Sequence, residues 1–522
     1  MTARDLWAWR LGETPDRTFL LWEGRSWTFA QTDAIVRRLA GGLASVGVER
    51  GTRVLLGVSN RVEMVWLQLA LQQLGAVFVP LLGSLTFDEL AYQIDHSESV
   101  LLVADEPVAS TVLPRLGELE RVRRVVVTAD VDAGVVPAGA VVLDELLSHE
   151  PIAPPPLPGH DHLDLMTILY TSGSTGRPKG VMLPTGCIGT VGESFSERFD
   201  LGPDDNFILP VTLAHAVGAV TAVGIAVVNG ARLTVLDRFS PSNWWRQVAE
   251  VGATTSILFP AHLNLLLELE AEGPAAGETG MKVLITHAWN DRFRERFGVE
   301  LATVWGMTET GALCVGSRPG ERVVENYVGT PMLGVEIKVA DDELAPVPAG
   351  TAGEICLRGE HVMLGYLKNP EATESTLVDG WVRSGDLGFL DDEGRLYFAG
   401  RLKNVIKRSG ENVSAEEVEG ALAEVPGVAE SLVFAVPDRL RAEEVGAVLV
   451  AKPGVELDPP AVVQAIAGKL ARWKLPRYVA VTPEPLPRLG NGKVDRLRAK
   501  QLLDPERSWD RERVEGSAVE RA

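Results

Sequence analysis

The run TSGSTGRPKG, Thr171 to Gly180, comes directly after the apolar stretch Met166 to Tyr170, and this join restricts the chain more than any other feature. The chain cannot enter a helix at Lys179, because Pro178 lacks a backbone N–H and Gly180 is a poor helix former. The run is therefore not a Walker A loop, which needs Gly-Lys-Ser/Thr leading into a helix. Its glycines and small hydroxyl side chains leave backbone N–H groups open to a polyanion, and Lys179 adds a positive charge. A nucleotide triphosphate is the expected occupant.

Around this loop the first half alternates strand-like and helix-like segments. Arg53 to Val58 reads as a strand, Ser59 and Asn60 offer an N-cap, Arg61 to Leu74 reads as an amphipathic helix ended by Gly75, and Ala76 to Val79 is the next strand. That is a βαβ unit. Val100 to Ala104 and Arg124 to Thr128 add buried strands, giving an α/β sheet covered by helices. Pro151 to Pro158 reads as an extended connector. Asn206 to Ala231 carries no Asp, Glu, Lys or Arg, yet its Ala, Val and Gly content with Pro210 and His215 points to a buried core helix rather than a membrane span. From Gly353 to Gly400 short alternating segments, GEICLRG and RLYFAG, indicate β-structure. Beyond Gly400 lies a smaller α+β pattern: a helix near Ala415 to Glu424, strands near Ser431 to Val436 and Val445 to Val450, and a helix near Ala461 to Arg472.

The expected fold class is thus α/β. A large multi-subdomain N-terminal domain, 1–400, combines α/β sheets with a β-rich part; a small mobile α+β C-terminal domain occupies 401–503, and 504–522, charge-rich and poor in large apolar groups, reads as a disordered tail. With 522 residues and 46% hydrophobic content the chain can bury at least two cores. A net charge of −21 opposes nonspecific binding to nucleic acid or anionic membranes, so a polyanionic ligand needs a locally basic site. Cys187, Cys314 and Cys356 stand far apart with no CxxC pair or zinc-like spacing, and the N-terminus lacks the apolar core of a signal peptide; both fit the cytoplasm.

Four further motifs come after the loop in order: VWGMTETG (Val304 to Gly311), WVRSGDLG (Trp381 to Gly388), GRLKNVIKRSGENVS (Gly400 to Ser414) and PRLGNGKVDR (Pro487 to Arg496). Together the five resemble the adenylate-forming superfamily of acyl-CoA synthetases, luciferase-like enzymes and adenylation domains. The resemblance implies a two-step reaction: ATP activates an acid as an acyl-adenylate with release of pyrophosphate, and the acyl group passes to CoA. It also implies site residues. Thr171, Ser172, Gly173, Ser174, Thr175, Gly176 and Lys179 would hold the β and γ phosphates; Glu309 would ligate Mg²⁺, with Thr308 on the α-phosphate. Trp305 and Gly306 would lie against adenine, tryptophan standing where the superfamily usually has tyrosine. Asp386 would accept from the ribose hydroxyls, with Arg401 alongside.

Lys493 would reach the substrate carboxylate and α-phosphate, and Lys403 would be the pivot between the two domains. Lys407, Arg408, Ser409 and Gly410 resemble a CoA-facing loop. His215 matches a substrate-pocket position, with His287 and Trp289 as further pocket candidates. The partners implied are a small-molecule acid, ATP and CoA, with no nucleic acid and no membrane span. Pro184-Thr185 stands where many relatives have histidine, and ITHAWNDRF (Ile285 to Phe293) replaces a Gly-Gly-Ala-Pro segment. With SRPG and IKRSGENVS, these features are similar to the carnitine/crotonobetaine-CoA ligase branch. Transfer to a carrier protein or an amine, or ATP-dependent activation of nitrite for diazotisation, are alternative outcomes on the same scaffold. A catalytically silent regulator is disfavoured, because Lys179, Glu309, Asp386 and Lys493 are all present.

Overall fold

The structure is a computed structural model describing residues 1–513 except 83–84, 172–177, 269–277, 288, 322, 325, 409–410, 439–441, 468, 471 and 489–492. The chain divides into two compact units: one formed by 1–338, 356–384 and 391–397, the other by 339–355, 385–390 and the chain from 398 onward.

The βαβ segment builds the centre of the first unit. Arg53–Gly57 pairs in parallel with Val77–Pro80 on one side and Leu101–Ala104 on the other. The intervening helix, Val62–Leu74, is ended by Gly75 in the left-handed region at φ 67°. All of this helix except Glu63 is buried, so it is an internal layer rather than an amphipathic surface helix. Ser59 and Asn60 do not cap it. Asn60 instead donates to Val211 O and accepts from Leu213 N, tying a distant loop to this sheet. The eight-stranded sheet runs Gly365–Tyr366, Lys179–Pro184, Leu165–Thr171, Val77–Pro80, Arg53–Gly57, Leu101–Ala104, Arg124–Val127 and Val141–Val142.

A second sheet carries the parallel strands Thr18–Trp22, Arg232–Val235, Asn206–Leu209, Thr255–Leu258, Val283–Thr286 and Leu301–Met307. It continues antiparallel into Ala312–Gly316 and Tyr327–Pro331. One apolar core takes Phe78 and Leu169 from the first sheet, Leu20, Phe207 and Ile285 from the second, and Leu43, Leu67 and Phe195 from helices. Helices on the faces of parallel strands leave the strand ends and their loops for chemistry. The uncharged segment is not one helix: Asn206–Leu209 is a central strand, and helix begins only at Val217, opening as a π-turn over Val217–Ala222 and ending at Asn229. Pro210 lacks the N–H that would continue a ladder, and a Cβ at Gly218 would collide with Thr212 and Leu213. Among the described residues no helix is long and apolar enough to cross a membrane.

In the second unit Ala442–Ala451 pairs antiparallel with Val428–Asp438 and parallel with Tyr478–Thr482. Alternate residues of Val428–Asp438 serve two cores. Val433 packs with Val418, Leu422 and Ile466, while Leu432, Phe434 and Val436 pack with Leu486 and Leu503. The helix expected near Ala461 to Arg472 is Pro459–Ile466, with a separate turn at Arg472–Lys474. The expected tail is built in as far as it is described. Trp509–Asp510 pairs with Tyr478 and Val479, and Asp510, 4% exposed, receives Arg477 at 3.2 Å. A charge-rich stretch reads as solvated, but here one of its acids answers a cation in the sheet. Residues 514–522 lie outside the described residues.

Candidate active site

In the first unit the glycine-rich run is a hairpin connection. Leu165–Thr171 and Lys179–Pro184 are antiparallel neighbours, with Thr171 opposite Lys179. Ser172, Gly173, Ser174, Thr175 and Gly176 lie outside the described residues. Both shoulders of the loop are tied to the helix Phe87–Ser97. Tyr92 donates to Pro178 O at 3.1 Å, and the Tyr170 hydroxyl reaches Gln93 O at 3.3 Å and His96 Nδ1 at 2.9 Å.

Lys179 projects its Nζ to 4.5 Å from the centre of the Tyr366 ring. Tyr366 lies on the short strand beside Val181, and its hydroxyl donates to Glu309 Oε1 at 2.8 Å. Burial, reinforced by the Glu309 charge, raises the Tyr366 phenol above its ordinary pKa, so it stays a donor. Glu309 is 7% exposed on the turn Thr308–Thr310, which the Leu301–Met307 strand delivers. Two glycines make that delivery possible. A Cβ at Gly306 would strike Ala312, and Gly311 closes the turn at φ 71° where a Cβ would strike His361 O and Cys187 Sγ. Thr310 Oγ1 accepts from Met307 N at 3.1 Å, pinning the turn from inside. Trp305, 8% exposed, and Gly306 occupy the end of the strand, and Thr308 the start of the turn.

The donor set fits a magnesium ion. Among the described residues no group of three His, Cys, Asp or Glu side chains could cage a metal. One carboxylate beside a phosphate-loop lysine suits a cation that takes most of its oxygens from phosphates and water, as Mg²⁺ does.

A set of rings stands on the strand ends of the second sheet. Phe259 packs nearly parallel to His287 (5.2 Å, 24°) and to His262 (5.7 Å, 19°), and meets His215 edge-on (5.9 Å, 75°). His287 Nδ1 lies 3.2 Å from Val304 O, which only accepts, so Nδ1 carries the proton. His215 Nδ1 instead accepts from Val217 N at 3.3 Å. Desolvation holds His287 below the ordinary imidazole pKa, against the opposing hydrogen bond to Val304. Trp289 is not in this set: it donates to Asp291 Oδ1 at 2.8 Å, beside Arg294, and packs with the Trp244 cluster.

The second unit holds the remaining candidates. Asp386, 4% exposed, pairs with Arg401 Nε at 3.1 Å. It is aimed by Gly385 at φ 69°, whose N–H donates to the buried Glu354 at 2.9 Å. Lys403 lies in the turn Leu402–Asn404, which Asn404 fastens to Glu416 at 2.6 Å. Lys407 lies on Val405–Arg408, while Ser409 and Gly410 fall outside the described residues. Arg408 is half-buried at the end of that strand. Its Nε meets Glu444 at 2.8 Å, and Glu444 is fully buried. Lys493 is exposed, one residue before Val494, which forms a bridge with Arg488.

Sequence reading missed Tyr366, Phe259, Glu354 and Glu416. Tyr366 sits 57 positions from Glu309, and nothing local in LGYLKNP signals the pairing. Glu354 looks like the solvent-facing residue of an alternating strand.

A lysine at the start of one strand of a hairpin and a buried glutamate meet around one tyrosine, an arrangement outside the Walker class. Residues 7–367 match the AMP-binding enzyme family and 417–493 match the AMP-binding enzyme C-terminal domain; the chain belongs to this family. It is 30% identical to the crotonobetaine/carnitine–CoA ligase of Escherichia coli (strain ATCC 8739) over 495 residues, covering 91% of this chain and 93% of that one. Among solved structures it is similar to ATP-bound MatB from Rhodopseudomonas palustris (TM-score 0.83, 27% identity, 96% and 99% of the two chains). It is also similar to o-succinylbenzoate CoA synthetase from Bacillus subtilis in complex with ATP and magnesium (TM-score 0.82, 27% identity, 95% and 99%).

Proposed function

We propose that this chain is an AMP-forming acid:CoA ligase that uses ATP and Mg²⁺ and works in the cytoplasm. The observation that carries the reading is the constellation of Lys179, Tyr366 and Glu309 beside the hairpin loop. It is supported by family membership and by relatives whose names specify CoA ligation and whose structures hold ATP, in one case with magnesium. Three buried cysteines, none of them in a disulfide, suit a reducing compartment.

In the first half-reaction a carboxylate oxygen of the acid attacks the α-phosphorus of ATP, the bond to the β-phosphate oxygen breaks, and pyrophosphate leaves. Lys179 and the loop N–H groups hold the departing phosphates, whose negative charge grows as that bond breaks. Mg²⁺ bound at Glu309 would neutralise part of the same charge. Tyr366 keeps Glu309 oriented, Trp305 and Gly306 bound the adenine, and Asp386 with Arg401 takes the ribose. Lys493 supplies a cation where carboxylate and α-phosphate meet. In the second half-reaction the CoA sulfur attacks the acyl carbon, its proton is lost, and AMP leaves. The small C-terminal domain, 401–503, turns about Lys403 between the steps, and Lys407 serves the acceptor.

The test is acid-dependent pyrophosphate release measured with and without CoA. Consumption of one CoA per pyrophosphate is expected; release with no CoA consumed overturns the acceptor assignment.

A further inference from the structure

The ring set on the first unit's strand ends carries information about the acid, an inference that rests on the acid:CoA ligase reading. Three rings, His262, Phe259 and His287, lie in a near-parallel series, and His287 ends it among the described residues. His287 remains solvent-accessible. It is also fixed to the motif strand, because its Nδ1–H is committed to Val304 O, the residue before Trp305. A neutral imidazole with its proton on Nδ1 has only a lone pair to offer at Nε2. The two neighbouring histidines have the opposite arrangement, each accepting a backbone N–H at Nδ1: His215 from Val217 and His262 from Phe259.

We propose that the acid is planar, aromatic or conjugated, and bears a neutral N–H or O–H donor: its ring continues the series at His287 and its donor is accepted by His287 Nε2. A flat group meeting an accessible ring gains offset stacking that a flexible alkyl chain does not. The donor satisfies a lone pair that a plain hydrocarbon would leave dry. A quaternary ammonium group is the competing occupant, since ring faces attract cations, but it has no N–H to give to Nε2.

The experiment measures pyrophosphate release by the full-length protein with ATP, Mg²⁺ and CoA on a matched panel: benzoate, the hydroxy-, amino- and methoxybenzoates, cyclohexanecarboxylate, hexanoate and crotonobetaine. A hydroxy- or aminobenzoate should exceed both benzoate and its methoxy counterpart in kcat/KM by about 30-fold, the scale of leaving one acceptor without its hydrogen bond. His287→Phe keeps a flat ring and removes the acceptor, and should bring that ratio to within about 3-fold. If crotonobetaine, hexanoate or cyclohexanecarboxylate is the best substrate, or if the ratio survives in H287F, the planar-donor assignment falls while acid activation stands. If ATP binds calorimetrically yet no acid of either kind releases pyrophosphate, the ligase reading itself falls, and this one with it.

Discussion

Glu309 and Lys493 represent two ways of holding a charge. Glu309 is 7% exposed, tied to Tyr366 and carried on a turn whose two flanking glycines admit no side chain. Lys493 stands exposed, next to a single bridge between Arg488 and Val494. The first unit fixes Glu309 in advance by burial and backbone geometry, which in the proposed reaction spares reorganisation as charge develops on the phosphates. Under the proposed function Lys493 serves only the first half-reaction, and a group with that role cannot be locked in this way. Asp386 falls between these extremes: it is buried like Glu309, yet its partner Arg401 is exposed.

The largest effect expected from breaking this contrast is at Lys493. Lys493→Ala should lower the rate of adenylate formation by about two to three orders of magnitude, about 3–4 kcal/mol, the scale of one lost preorganised donor. Thioester formation from supplied acyl-adenylate should persist, and single-turnover assays of each half-reaction separate the two. Equal loss of both in a folded variant would mean Lys493 is as permanent a part of the site as Glu309. Next in size, Glu309→Gln should cut adenylation by about 100-fold and raise the Mg²⁺ concentration needed for half-maximal rate, because an amide oxygen lacks the charge that pairs with the ion. An unchanged Mg²⁺ titration would remove the metal role. Smaller again, Tyr366→Phe leaves the Lys179 contact with an aromatic face and deletes only the hydrogen bond to Glu309. A loss of about 10-fold in adenylation is expected, from about 1.5 kcal/mol for a hydrogen bond to a charged group. If Y366F matches E309Q, the tyrosine does more than orient the carboxylate.

Legibility in the sequence divides along the same line. The glycine-rich run and the Thr-Glu pair are local patterns, and each adjoins the end of a strand, Leu165–Thr171 and Leu301–Met307, whereas Ser384-Gly385-Asp386 lies inside the strand Trp381–Leu390. Contacts between distant segments were not readable. Tyr366 with Glu309, and Glu354 with Gly385, join carboxylates to partners that no spacing rule connects. The ion pair of Arg408 with the buried Glu444 on the neighbouring strand is another contact between distant segments that no spacing signals. The strand Asn206–Leu209 was lost in an uncharged run because a fully buried strand and a buried helix share the same apolar composition.

The smallest effect at neutral pH, and the sharpest test of packing in the first unit, concerns His361. It is 2% exposed, and neither ring nitrogen has a hydrogen-bond partner among the described residues. Its backbone oxygen lies against Gly311, so it backs the turn that carries Glu309. Burial alone lowers its pKa to about 4. The unfolded chain, with an ordinary imidazole, binds the proton more readily than the folded one, so stability rises with pH through this interval. It should be unaffected above about pH 6.5 and fall between there and pH 4, by about 3 kcal/mol at the lower end. All eight histidines precede residue 398, so the second unit has none to titrate, and the loss should appear in the unfolding of the first unit. His361→Asn should flatten the dependence of the urea midpoint on pH between 6.5 and 4 while leaving the midpoint at pH 8 little changed. An equal slope in the variant would mean that the acid sensitivity comes from carboxylates, and that the backing of the Glu309 turn does not depend on a neutral imidazole.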